Sequence, residues 1–307
     1  LFDETLCEQG RNFNNKIWNA FRLIKGWSTS EEEQPATNAI AVKWFEAKLR
    51  QANQELNDLF SKYRISEALM VVYKLFWDEF SSWYLEMIKP SYGSPIDKKT
   101  FEATLQFFET LLKMLHPFMP FITEELWQHI YTREEGQSIM CENLTLDAFS
   151  TEDGHLIDEI ENVKLIVTNI RAVRNQKNIS PKVELELHTI SQNRYANYNS
   201  VIKKMANLNN IVEVQEKAAN CALFMIGTDE FAIPVGDMVD HEAELAKQEA
   251  QLKHLEGFLA GIQKKLSNEK FVANAPAAVV ELEQKKAKDS EEKIAALKQS
   301  IAELKQK

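Results

Sequence analysis

Apolar residues recur along this chain in three successive rhythms. In the first, Phe13, Ile17, Ala20, Phe21 and Ile24 return at close to 3.6 residues, which predicts a helix over residues 7–24, closed by Lys25-Gly26. After a polar loop, Ser28–Pro35, a second helix is expected from Ala36 to Tyr63, with Ile40, Trp44, Leu49, Leu56, Leu59 and Phe60 as its apolar positions. A third starts near Ser66 and runs through Leu75, Trp77, Phe80, Trp83 and Leu85 to Pro90, and Tyr92–Pro95 reads as a turn. A fourth covers Lys98–His116. Pro117 and Pro120 then interrupt it, and a short fifth helix is expected to begin at Thr123. Long helices on short loops predict an up-and-down bundle over residues 1–150.

From residue 151 to 236 the rhythm changes. Residues 163–174 read as a helix, Val183–Leu187 alternates as a half-buried strand, and Tyr195–Met205 is helical again. Three short strands follow at Ile211–Val214, Cys221–Ile226 and Phe231–Val235, so a small α/β unit is expected. The third rhythm, over residues 237–307, is heptad. Leu245, Leu252, Leu255, Leu259, Ile262 and Leu266 alternate at three, four and seven residues. Val280, Ala287, Ile294, Leu297, Ile301 and Leu304 resume the pattern after a break at Phe271–Pro276. Two heptad helices joined so closely must fold back as an antiparallel coiled-coil hairpin. The whole is mainly α, and its 9 glycines and 8 prolines in 307 residues agree with long helices.

Charge and cysteine content narrow the function. A net charge of -10 excludes a basic nucleic-acid coat, so any nucleic-acid site must be a local cationic face. Cys7, Cys141 and Cys221 are far apart and form no CxxC pair, which offers neither a zinc site nor a disulfide framework and fits a cytoplasmic protein. No Gly-rich phosphate loop, GxSxG, HExxH or metal-spaced cluster is present, so no catalytic or metal-ligating residues are assigned. The chain opens at Leu1 and enters a helical pattern almost at once, which reads as a cut from a longer protein.

Three segments carry more information. In RNFNNKIWNAFR (Arg11–Arg22), Asn12, Asn15, Asn19 and Arg22 recur at three and four residues on one helix face. Amides offer paired donors and acceptors and arginine a planar fork, so this face suits base edges; it equally suits a helix hydrogen-bonded inside a bundle. The aromatics around WYLEMIKP (Trp83–Pro90) suit stacking on single-stranded bases, or an ordinary core. HPFMPFITEELW (His116–Trp127) reads as a kinked structural corner, with His116 in a capping or packing role.

Together, in this order, the three segments resemble the anticodon-binding domain of class I aminoacyl-tRNA synthetases for branched aliphatic amino acids. The heptad hairpin looks like the tRNA-binding arm of the valine enzymes. An isoleucine enzyme typically ends in a cysteine-paired zinc module, and a leucine enzyme lacks the hairpin. The resemblance implies a bundle that binds the anticodon of valine tRNA, an arm that supports the tRNA elbow, and a catalytic domain elsewhere in the full-length chain that uses ATP and Mg²⁺. No cofactor is expected in this chain, and no activity from it alone. Carried over by motif, the anticodon-facing residues are Arg22, Leu23 and Leu85, with Lys16, Asn19 and Lys89 nearby. On the arm, Lys247–Lys307 holds 12 lysines against 9 acids, and Lys264, Lys265, Lys270, Lys285 and Lys286 are the expected phosphate contacts. The alternatives are the same domain of an isoleucine or leucine enzyme, and a bundle-and-coiled-coil scaffold for protein partners; for the arm lysines it is an ordinary solvated face.

Overall fold

The computed structural model describes residues 4–216, 221–235 and 241–267, together with positions 287, 288, 290, 294 and 298. Helix α1 spans Glu4–Lys25 and buries Phe13, Ile17, Ala20 and Ile24, the positions its spacing singles out. The loop after it contains a two-residue strand, β1 (Thr29–Ser30), paired in parallel with β2 (Ile96–Asp97). Helix α2 (Ala36–Ser61) is the spine of the bundle, with Trp44, Phe45 and Ala47 fully buried.

The third helix departs from its expected regular form. It is α-helical in α3 (Ile65–Lys74), widens into a π-helix over Leu75–Tyr84, and recovers as α4 (Leu85–Ile88). Packing accounts for the widening. Phe76, Phe80 and Tyr84, four residues apart, stack in one file (5.5 Å between successive rings), and Phe45 of α2 packs against Phe80 and Tyr84. Such wide turns are uncommon and are held by tertiary contacts rather than local preference.

Helix α5 (Lys98–Leu115) is capped by Asp97, which accepts from the Thr100 amide at 2.8 Å and from Asn38 of α2 at 2.9 Å. Helix α6 spans Pro120–Ile130, so the fifth helix begins three residues earlier than expected; Pro120 is its first residue, where a missing N–H costs nothing. His116 Nδ1 donates to Thr123 Oγ1 (2.8 Å), whose own proton goes to the Met119 carbonyl. The histidine closes the corner, as its position before Pro117 implied.

Helix α7 (Thr151–Gln176) is longer than its sequence pattern and lies along α2. A capping box between Ser150 and Asp153 starts it, and Arg50 of α2 grips the same carboxylate with two hydrogen bonds (2.6 and 3.0 Å). Farther along, Lys48 and Lys164 clasp Glu79 and Glu161 in a four-charge cluster with N–O distances of 2.6–3.4 Å. Burial raises the pKa of Glu161, but the two lysines outweigh it and hold the carboxyl below its usual range. Strands β3 (Leu185–Ile190), β4 (Leu208–Val214), β5 (Cys221–Ile226) and β6 (Asp229–Pro234) form one sheet ordered β4-β3-β6-β5, with α8 (Asn199–Ala206) crossing between the parallel pair β3 and β4. The buried Arg174 guanidinium donates to the carbonyls of Ser180, Val183, Ala206 and Asn207, stapling the loops to α7. One hydrophobic core continues from the bundle through α7 into the sheet. Helix α9 (His241–Leu266) carries the first heptad run.

Candidate nucleic-acid interface

With Ile17, Ala20 and Ile24 of α1 turned into the core, the same helical period turns Asn12, Asn15, Asn19 and Arg22 to solvent. The amide face is therefore free for a ligand rather than packed within the bundle. Lys16 is half-buried, and its ammonium lies over the Trp77 ring at 5.1 Å; Trp77 in turn stacks on Tyr73. This contact tethers the lysine stem and leaves its charge at the edge of the face.

The end of α1 meets the end of α4 in a cleft of about 400 Å³, lined by Arg22, Leu23, Trp27, Lys89, Tyr92 and Ser94, among others. Each wall follows from local backbone chemistry. The Gly26 amide closes α1 on the Arg22 and Leu23 carbonyls, and a Cβ at this position would sit 3.1 Å from the Arg22 oxygen. The close approach turns the chain sharply and sets Trp27 beside Leu23. Opposite, Lys89 leaves the helical conformation (φ -49°, ψ 122°), as a residue before proline must, and its side chain turns outward. The Ser94 amide then closes a turn onto the Ser91 carbonyl (2.9 Å), with Gly93 at φ +79° in third place, which only glycine takes without strain. Tyr92 is left at the turn's tip with its ring wholly exposed (107%). The cleft thus has an apolar floor in Leu23 and the half-buried Trp27, a projecting aromatic ring, and two cations. Arg22 is exposed; Lys89 holds only a loose, exposed pair with Glu86 at 3.3 Å. Aromatic walls with a guanidinium fork suit a splayed base and its phosphate.

Of the residues singled out by motif, Arg22, Leu23 and Lys89 come together in this cleft, and Asn19 lies one turn back on the same face. Leu85 does not join them. It is 2% exposed, in the core with Tyr84, Met87 and Ile88, and does not line the cleft, so its expected contact with a base is corrected to a place in the core. The physical reason is helical phase: Leu85 shares the inward stripe of Ser81, Tyr84 and Ile88, whereas Lys89 escapes it where the backbone leaves the helix. Trp27 and Tyr92 were missed by sequence reasoning. The signal for Tyr92 was present as an aromatic beside a turn glycine; Trp27 gave none.

In the arm, Leu252, Leu255, Leu259 and Leu266 are half-buried and Ile262 is buried, as the heptads predict. Of the second heptad run only positions 287, 288, 290, 294 and 298 are among the described residues; Ile294 and Ser290 are buried and Lys298 pairs with Glu256 at 2.8 Å, while Val280, Leu297, Ile301 and Leu304 lie outside them. Lys264 and Lys265 are exposed in the last turn of α9; Lys270, Lys285 and Lys286 lie outside the described residues. Among the described residues no group of three or more His, Cys, Asp or Glu is placed to hold a metal ion, and no helix is long and apolar enough to cross a membrane.

Residues 42–189 match the family described as the anticodon-binding domain of tRNA ligase, and residues 240–305 match the valyl tRNA synthetase tRNA binding arm. A valine–tRNA ligase of Phocaeicola vulgatus is 58% identical over 305 residues, covering 99% of this chain and 35% of that protein. One from Bacteroides thetaiotaomicron is 58% identical over 308 residues, with the same coverage. A more distant one, from Brucella suis, is 32% identical over 287 residues, covering 90% of this chain and 32% of its own length. The chain thus spans about a third of the length of the curated relatives it matches. With both its bundle and its arm matched in order, the chain belongs to the valine–tRNA ligase family.

Proposed function

We propose that this chain is the tRNA-recognition part of a valine–tRNA ligase acting in the cytoplasm, and that the cleft between α1 and α4 receives an anticodon base. The observation that carries this reading is the cleft itself: an arginine fork and an apolar floor from α1 meet an exposed tyrosine and a lysine from the segment matched as an anticodon-binding domain. Leu23 and Trp27 support one face of the base, Tyr92 covers the other, and Arg22 with Asn19 reads its edge. Lys89 and Lys16 take the neighbouring phosphates. Such phosphate contacts fix orientation, while base contacts supply the sequence preference. The arm lysines Lys264 and Lys265, with Lys270, Lys285 and Lys286, take backbone phosphates at the tRNA elbow. The full-length protein joins valine to its tRNA with ATP and Mg²⁺, and no residue of this chain is assigned to either.

The test is a binding titration against valine tRNA and against the same tRNA with its central anticodon base changed, at two salt concentrations. Preference for the native anticodon that persists at the higher salt upholds the reading. Binding that is blind to the anticodon and vanishes with salt leaves only phosphate contacts. No binding at all favours the protein-partner scaffold.

A further inference from the structure

The six tryptophans of this chain fall into two groups by what covers their rings. Trp44, Trp77, Trp83 and Trp127 each have a lysine or arginine cation over a ring face, 3.7–5.6 Å from its centroid. The protein's own charges fill those faces. Among the described residues no cation lies over Trp18 or Trp27. Trp27 belongs to the floor of the cleft, where a base would cover it. Trp18 does not line the cleft, and at 41% it is the most exposed of the six.

Trp18 is nevertheless braced. Its ring leans on Phe21, with centroids 6.2 Å apart and planes at 46°. Phe21 is half-buried and stacks in turn on the fully buried Phe108 of α5 at 6.0 Å. One side of the indole is thus fixed to the core through two rings while much of it stays in water. A ring already held in place gives up little conformational freedom when a ligand stacks on it.

The neighbours of Trp18 identify the occupant. Residues three and four apart on a helix stand side by side, so Trp18 lies between Asn15 and Arg22 on the surface of α1. From Arg11 to Lys25 the helix carries Arg11, Lys16, Arg22 and Lys25 and no acidic residue, in a chain whose net charge is -10. A bare aromatic plane among amides and cations suits an unstacked nucleobase: the plane takes the base, the amides its edge and the cations its phosphate. An apolar protein surface would have to bury Asn15 and Arg22 without partners, which is costly. The surface is also continuous with the cleft. Arg22 lines the cleft, and Trp18 is one turn earlier, about 6 Å along the helix axis.

We propose that Trp18 is a second stacking platform, which holds the anticodon-loop base next to the one in the cleft, with Asn15 at that base's edge. This rests on the reading of the cleft as an anticodon site. Arg22 then lies between two adjacent bases, one on each side of its guanidinium.

Binding titrations of the full-length protein test this, with valine tRNA and a series of valine tRNAs each made abasic at one position of the anticodon loop. Trp18→Leu keeps an apolar contact for Phe21 and removes the plane; Trp18→Phe keeps a plane. Trp18→Leu should weaken binding to intact valine tRNA by about 5- to 100-fold, and Trp18→Phe should largely restore it. The loss should vanish on one abasic tRNA, and the loss from Tyr92→Ala should vanish on the tRNA abasic at the adjacent position. Parental affinity of Trp18→Leu for intact tRNA would overturn the proposal. So would an equal loss on every abasic tRNA, which assigns Trp18 a structural or backbone role, or cancellation of both variants at the same position, which leaves a single base. Oxidation footprinting of the unmutated protein gives a reading that does not depend on the variants folding. Intact valine tRNA should protect Trp18 several-fold and the cancelling abasic tRNA should not; equal protection by both would overturn the platform. Parental affinity of Tyr92→Ala for every tRNA would count against the cleft alone.

Discussion

Replacing Asp153 by asparagine keeps the size of the side chain and removes one charge at the junction between the bundle and the α/β unit. The carboxylate accepts from the Ser150 amide at 2.9 Å and from Arg50 at 2.6 and 3.0 Å, and both partners are largely buried, with side chains 10% and 16% exposed. The Arg50 hydrogen bonds, followed by those from Ser150, pull its pKa from the usual 3.8 to about 2. At 1.36 kcal/mol per tenfold change, that displacement is worth about 2 kcal/mol at neutral pH. Because the folded carboxyl titrates below the unfolded one, the stabilisation is complete above about pH 4 and fades as the pH falls towards 2. Roughly half should remain at pH 3. Urea unfolding of the parent and of D153N at pH 7 and pH 3 checks this: a gap of about 2 kcal/mol should shrink to roughly 1 kcal/mol in acid. A gap that is equally large at both pH values would refute the electrostatic account and leave only the geometry of the cap.

The remaining predictions concern the cleft. Arg22→Ala should weaken binding to valine tRNA by about 1–3 kcal/mol, and by clearly less once the central anticodon base is changed; equal losses in the two titrations would reduce Arg22 to a phosphate contact. Tyr92→Ala should lose about 1–3 kcal/mol against any anticodon, since stacking tolerates every base, while the melting temperature stays unchanged because the ring touches no core. Unaltered affinity would remove Tyr92 from the site. Leu85→Ala should cost about 2–5 kcal/mol of stability by opening a cavity, with anticodon preference intact at low temperature. A stable protein that had lost the preference would restore Leu85 to direct contact.

Periodic features were legible in the sequence because they are local. A 3.6-residue spacing turns Ile17 and Ile24 inward and Asn19 and Arg22 outward whatever α1 packs against, and the heptads place Ile262 and Ile294 in the arm's seam by the same logic. The order of three short segments was enough to point to an anticodon-binding bundle, since each is continuous in the chain. What the sequence left open depends on where distant segments meet. The ring file of Phe76, Phe80 and Tyr84 widens a helix only because Phe45 of α2 lies against it. The cleft exists only because Leu23 and Lys89, 66 residues apart in the chain, end their helices side by side. Lys89 turns outward and Tyr92 stands bare through a helix exit before Pro90 and a glycine turn, which no periodicity encodes. The sequence by itself determined which helices form and which faces they offer; the tertiary structure decided which of those faces converge, because convergence depends on packing between elements far apart in the chain.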